Sequence, residues 1–244
     1  VVSLMYRLIE ANYKDKILDA ACGSGAFLVK AMGNMTREVG GITNDKEVKK
    51  IQNEKLFGVE ISKDLFILAC ANMLIHKDGK TNLIQADSRD KEVCDWIKSK
   101  NITKVLMNPP YEKKYGVMGI VENVLNNVSE GAMCAFLLPD NKLEISRKTV
   151  ERWLKKHSLL KIIKLPDNTF TGKASVNVSI FIFKAHEPQK EKEIFACWIK
   201  EDGLETVKNK GRQDIKGKWK NELEDYWYNI IYKQSGNETC QWLK

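Results

Sequence analysis

The sequence predicts an α/β protein built on a mostly parallel sheet with helices on both faces, and three observations carry that expectation. Short apolar segments, several rich in β-branched residues, alternate along the chain with longer amphipathic stretches. Seven such segments occur, and strands that alternate with helices form a parallel sheet buried on both faces. The last two are separated by only a dozen residues, with Pro166, Asn168 and Gly172 and no helical pattern. They are expected to pair as an antiparallel hairpin, so the seven-stranded sheet ends in a reversed strand.

Taken in order, the first strand spans Lys16 to Ala21 and runs into Asp19-Ala20-Ala21-Cys22-Gly23-Ser24-Gly25-Ala26-Phe27, with a helix starting near Ala26. Glycines there let the backbone approach a ligand while free helix N–H groups face it. A dinucleotide fingerprint would place Gly or Ala at position 28; Leu28 stands there and argues against a nicotinamide. The second strand, Leu56 to Ile61, carries Glu60 near its end, and the third, Asn82 to Ala86, is followed by Asp87. A carboxylate after the second strand can accept both ribose hydroxyls of an adenosyl group, and one after the third can accept from its amino nitrogen. Singly, each acid is equally a loop residue or a helix cap. Together with the glycine turn they fall in register at the strand ends, where open α/β sheets bind ligands.

The fourth strand, Lys104 to Met107, ends in Asn108-Pro109-Pro110-Tyr111. Two prolines fix the backbone and remove two N–H donors, which leaves carbonyl groups free to accept. Such a site suits a planar amino substrate: the Asn108 oxygen and the Pro109 carbonyl accept its two N–H bonds while Tyr111 stacks on its ring. Next, Val117, Ile120, Val121, Val124, Leu125 and Val128 share one helical face. The fifth, sixth and seventh strands are Met133 to Leu138, Lys161 to Leu165 and Val178 to Phe183. Beyond Ala185 the pattern weakens to one further strand (Glu193 to Ile199) and a charged tail anchored by Trp219, Trp227 and Tyr228. The organisation expected is thus a catalytic domain over 1–185 and an extension over 186–244 packed upon it.

A formal charge of +8 fits a polyanionic partner. Six cysteines without a C-x-x-C pair, and three histidines, give no zinc pattern, so reduced thiols, a cytoplasmic setting and no metal are expected. No run approaches the roughly 18 apolar residues of a membrane span, and the N-terminus lacks the layout of a signal peptide.

These motifs resemble those of N6-adenine DNA methyltransferases, and within that class the modification subunit of type I restriction systems. Asp19 to Phe27 matches the family's D-P-A-C-G-S-G-x-F except that Ala20 replaces the proline. Phe57-Gly58-Val59-Glu60, Ala71-Asn72-Met73-Leu74-Ile75-His76, the N-P-P-Y box, Leu138-Pro139 and Leu165-Pro166 through Phe170 extend the match over about residues 1 to 200. The resemblance implies a Rossmann-like class I methyltransferase fold and S-adenosyl-L-methionine as cofactor. It implies methyl transfer to the N6 amino group of adenine in DNA, with DNA, a DNA-specificity subunit and a restriction subunit as partners. Implied cofactor contacts are Asp19, Ala21, Cys22, Gly23, Gly25, Phe27, Glu60, Ile61, Asp87, Ser88 and Asn108. Implied catalytic residues are Asn108, Pro109, Pro110 and Tyr111; substrate contacts are Tyr111, Phe170, Lys113, Lys114 and Lys173, with Arg147 and Lys148 as further phosphate contacts. His76 receives no role. Methyltransferases of protein glutamine and RNA guanine share N-P-P-Y, so these, and a catalytically silent DNA-binding subunit, are the alternatives. Because the family places an aromatic-Thr-Pro segment just upstream of this point, the chain is expected to be part of a longer protein.

Overall fold

The computed structural model describes residues 1–76, 82–167, 169, 176–208 and 211–244. The chain runs α1 (Val2–Leu8), β1 (Ile17–Asp19), α2 (Ala26–Glu38), α3 (Asp45–Glu54), β2 (Leu56–Glu60), α4 (Lys63–Ile75), β3 (Asn82–Gln85), α5 (Lys91–Lys100) and β4 (Lys104–Met107). A 3₁₀ turn (Lys113–Tyr115) leads into α6 (Val117–Asn127), β5 (Met133–Pro139), α7 (Lys142–Ile145), α8 (Arg147–Leu154), β6 (Ser158–Lys164) and β7 (Val178–Lys184). The remainder is β8 (Ile194–Trp198), β9 (Glu205–Val207), β10 (Gly211–Gln213), a π-helical turn (Trp219–Leu223), α9 (Glu224–Lys233) and β11 (Cys240–Leu243).

The main sheet has the order β11-β8-β6-β7-β5-β4-β1-β2-β3. Among the described residues it contains nine strands rather than the seven expected. Strands β3, β2, β1, β4 and β5 are mutually parallel. The reversed strand β7 is antiparallel to both β5 and β6. It therefore lies inside the sheet, because β6 beyond it still has an open edge. That edge is taken by β8, parallel to β6, and β8 is in turn covered by antiparallel β11.

Side chains alternate across the sheet and build two cores. Along β5, Ala135 and Leu137 join the core beneath α1, α2 and α9. Their neighbours Cys134, Phe136 and Leu138 join the core beneath α5, α6 and α8. The apolar stripe read from the sequence for α6 is the buried one: Val117, Ile120, Val121, Val124, Leu125 and Val128 all face the second core. Fully burying such side chains contributes roughly 1.5–3 kcal/mol each. On the first face, α9 closes over α1: the buried Glu224 carboxylate accepts from the Ser3 hydroxyl (2.8 Å) and from Trp219 Nε1–H (2.9 Å). Among the described residues, no helix is long and apolar enough to cross a membrane.

The strand order reverses between β1 and β4, which leaves a crevice outside their carboxyl ends. The ends of β2 and β3 open onto the same edge.

Candidate functional site

The crevice starts at the turn after β1. Gly23 (φ 53°) and Gly25 (φ 80°) are left-handed, a conformation that costs a side-chain-bearing residue but not glycine. A Cβ placed on Gly23 would meet nothing within 4 Å, so space is open above the turn. The turn is tied to β2 by Cys22 N–H donating to the Val59 carbonyl (3.0 Å), and closed by Gly25 N–H donating to the Cys22 carbonyl (2.8 Å). Glu60, at the end of β2, accepts from Gly23 N–H through one oxygen and from Ser62 N–H through the other, both at 2.8 Å. The two bonds hold this buried carboxylate in one orientation, and each oxygen keeps a second lone-pair direction. Behind the turn, Asp19 accepts from Ala21 N–H (3.1 Å). Burial pushes the Asp19 carboxyl up to about 7, and the Glu60 charge adds to the rise, against the Ala21 hydrogen bond.

After β3, Asp87 is engaged by a residue that the sequence reading did not select. Arg89 donates its backbone N–H and Nε–H to Asp87 Oδ1 (both 2.9 Å), and its Nε–H (3.1 Å) and Nη2–H to Oδ2. The Arg89 fork holds the Asp87 carboxyl below the usual carboxylate range. Ser88 turns inward: its hydroxyl donates to the Ala20 carbonyl, and its own carbonyl accepts from Asn123 (3.1 Å). After β4, the Tyr111 hydroxyl donates to Asn108 Oδ1 at 2.8 Å. Burial of the Tyr111 ring pushes its phenol well above the ordinary value.

These strand ends enclose a cavity of about 530 Å³, within the roughly 300–1,000 Å³ of small-molecule sites. Ala21, Gly23, Glu60, Ile61, Asp87, Ser88, Asn108, Pro109, Pro110 and Tyr111 all line it, and so come together as the sequence pattern expects. Asp19, Cys22, Gly25 and Phe27 do not line it. They lie behind the wall: Asp19 and Cys22 are buried, and Phe27 packs on the first core. Lys113 and Lys114 sit on the turn after the proline pair, outside the cavity; Lys114 pairs with Glu112 (2.9 Å) and lies over the Tyr115 ring. Arg147 pairs with Glu151 one helical turn on (2.9 Å), and Lys148 is exposed. Phe170 and Lys173 lie outside the described residues. His76 is the exposed C-cap of α4, away from the cavity lining. The reading missed Ala20, Ser62, Leu65, Ala86, Arg89, Glu112, Tyr115, Ile120 and Val176, which also line the cavity. Signals existed for Ser62, a helix N-cap residue type, and for Arg89, a guanidinium two residues after Asp87.

Comparison with known proteins follows the same lines. The family described as N-6 DNA methylase matches residues 1–134, more than half of the chain. The chain is 35% identical over 200 residues to the type II restriction enzyme and methyltransferase RM.BcgI of Heyndrickxia coagulans, covering 76% of this chain and 30% of that protein. It is 23% identical over 211 residues to the type I restriction enzyme EcoEI methylase subunit of Escherichia coli, covering 78% of this chain and 42% of that one. The chain thus spans less than half the length of the curated relatives it matches. Among solved structures, the type I restriction-modification system methyltransferase subunit from Streptococcus thermophilus superimposes with a TM-score of 0.72 at 18% identity, covering 100% of this chain and 54% of that one. The fold is the Rossmann-like class I methyltransferase fold, with two strands added at one edge of its seven-stranded sheet. Its sequence match and strand-end motifs make this chain a member of the N-6 DNA methylase family.

Proposed function

We propose that this chain carries the catalytic unit of a cytoplasmic methyltransferase that uses S-adenosyl-L-methionine to methylate the N6 amino group of adenine in DNA. The observation that carries the reading is the convergence of the Gly23 turn, Glu60, Asp87 and Asn108 to Tyr111 on one cavity. The residues present fit the cofactor. Open space lies above Gly23, an acceptor with free lone pairs faces the cavity at Glu60, and a second acceptor lines it at Asp87. Glu60 would take the ribose hydroxyls, Asp87 the adenine amino group, and Ala21, Gly23, Ile61 and Ser88 would form the walls. Asp19, Cys22, Gly25 and Phe27 would act from behind, by fixing the turn.

When bound, S-adenosylmethionine supplies an electrophilic methyl group, and the residues of this chain prepare the nucleophile. The amino nitrogen of adenine is a poor nucleophile because its lone pair is delocalised into the ring. Asn108 Oδ1 and the Pro109 carbonyl accept its two N–H bonds and raise electron density on nitrogen as it attacks. Pro110 keeps those acceptors rigid, and Tyr111 stacks on a base flipped out of the duplex. The Tyr111 hydroxyl, which donates to Asn108 Oδ1 here, is displaced as the amino group arrives. Lys113 and Lys114, with Arg147, Lys148, Phe170 and Lys173, are proposed as substrate contacts. Residues 1–185 are proposed as the catalytic domain and 186–244 as an extension of it. A DNA-specificity subunit and a restriction subunit are proposed as partners, by analogy with relatives named for restriction systems. The test is incubation with methyl-labelled cofactor and a choice of DNA, RNA or a glutamine-bearing protein. Label on adenine N6 of DNA is expected; label on another class, or none despite bound cofactor, would overturn the reading.

A further inference from the structure

Asp87 receives four hydrogen bonds from a single residue two positions along the chain, and that residue reaches into the cavity as well. We propose that Arg89 is a positioning residue that locks the Asp87 carboxylate as an acceptor and so makes the cavity select a purine with a 6-amino group over one with a 6-oxo group. The proposal rests on the reading that this cavity takes an adenosyl ligand.

The geometry is built for a guanidinium. Nε and Nη2 form a planar fork on both carboxylate oxygens, and the Arg89 backbone N–H closes the turn on Oδ1 at 2.9 Å. A lysine would offer a point charge without that fork. The start of α6 lies close along the side chain: a Cβ on Gly116 would meet Arg89 Nη1 at a tight 3.3 Å, and one on Gly119 would be in ordinary contact with its stem at 3.9 Å. Without the fork, Asp87 would be a partly exposed carboxylate at a strand end, free to sample other rotamers. With it, the group is held in one orientation, and a carboxylate in its ionised form only accepts. A 6-amino group donates to it; a 6-oxo group would set oxygen against oxygen. Discrimination between the two therefore depends on Arg89 although Arg89 need not touch the purine.

The experiment is calorimetric binding of S-adenosylhomocysteine and S-inosylhomocysteine to the full chain. Wild type is expected to prefer the adenosyl ligand by about tenfold or more, the scale of one hydrogen bond to a charged group. In Arg89→Ala that ratio is expected to collapse toward the ratio of Asp87→Asn, whose amide both donates and accepts. Arg89→Lys should fall between, and Arg89→Gln serves as a second variant of similar length. Loss of packing alone would weaken both ligands together and leave the ratio unchanged. An unchanged ratio in Arg89→Ala or Arg89→Gln would overturn the proposal while leaving the cofactor reading intact. A wild type that binds neither ligand would instead overturn the cofactor reading, and the proposal with it.

Discussion

Asn108 is part of the cavity wall, and its amide oxygen accepts from the Tyr111 hydroxyl. Two substitutions separate the roles of these neighbours. Asn108→Ala is expected to lower turnover about 100- to 1000-fold with little change in cofactor affinity, because it removes a hydrogen bond that strengthens only in the transition state. Tyr111→Phe keeps the stacking face and vacates the Asn108 oxygen, so turnover should stay within about threefold of wild type if stacking is the role of the ring. A loss in Tyr111→Phe as large as in Asn108→Ala would assign the hydroxyl itself to the chemistry. Asp19 gives a prediction on stability. Its folded pKa is raised, so its contribution is fully present below the unfolded value and is lost as pH rises toward about 7. Asp19→Asn keeps the acceptor for Ala21 N–H and removes the buried charge. Above pH 7 it should be more stable than wild type by an amount on the order of a few kcal/mol, the gap closing as pH falls toward 4. Denaturant unfolding across that range is the check; a gap that does not change with pH would mean that Asp19 carries no such penalty. Glycines, strand-end acids and the N-P-P-Y box were legible because each directly follows or closes a strand that its own apolar run makes readable. Arg89 carried only the weak local signal of standing two residues after Asp87, and its closeness to Gly116 at the start of α6 arises from tertiary packing.

At the scale of elements, Trp227 is one of several residues that hold α9 to the body. Trp227 on α9 is buried in the first core, and its Nε1–H donates to the Glu201 carbonyl at 2.9 Å. Trp227→Ala is expected to cost about 3–5 kcal/mol in denaturant unfolding. A loss under about 1 kcal/mol would mean that α9 is an appendage rather than part of the core. The strands β2, β4 and β5 announced themselves through largely apolar runs, as strands buried on both faces do. Strand β11 did not: Cys240–Leu243 is four residues long, and only its pairing with β8 makes it a strand. The hairpin of β6 and β7 was legible from the short connection between them. The position of β7 inside the sheet was not, since the order of strands is set by which edges remain to be covered.

For the molecule as a whole, the net charge of +8 sets an electrostatic expectation for DNA. Affinity should fall steeply with salt, each phosphate contact contributing about 0.9 to the slope of log affinity against log salt. Lys113→Ala should reduce that slope by about one contact. Lys114→Ala should reduce it less, since Lys114 already pairs with Glu112. Equal slopes for wild type and Lys113→Ala would remove the turn after the proline pair from the DNA-facing surface. The outermost strands carry a different consequence. Strand β6 is seven residues long, and its far edge bonds to β8 in parallel register from Lys161 with Phe195 to Lys164 with Trp198. A chain cut after Ala185 would keep every residue of the cavity and lay that edge bare, its backbone N–H and C=O groups a template for another copy. Such a shortened protein should still take up cofactor yet self-associate, with light scattering that grows with concentration while the full chain stays unchanged. Residues 186–244, which cover that edge through β8 and the first core through α9, would then be read as solubility guards of the sheet, and a monodisperse shortened protein would deny them that part.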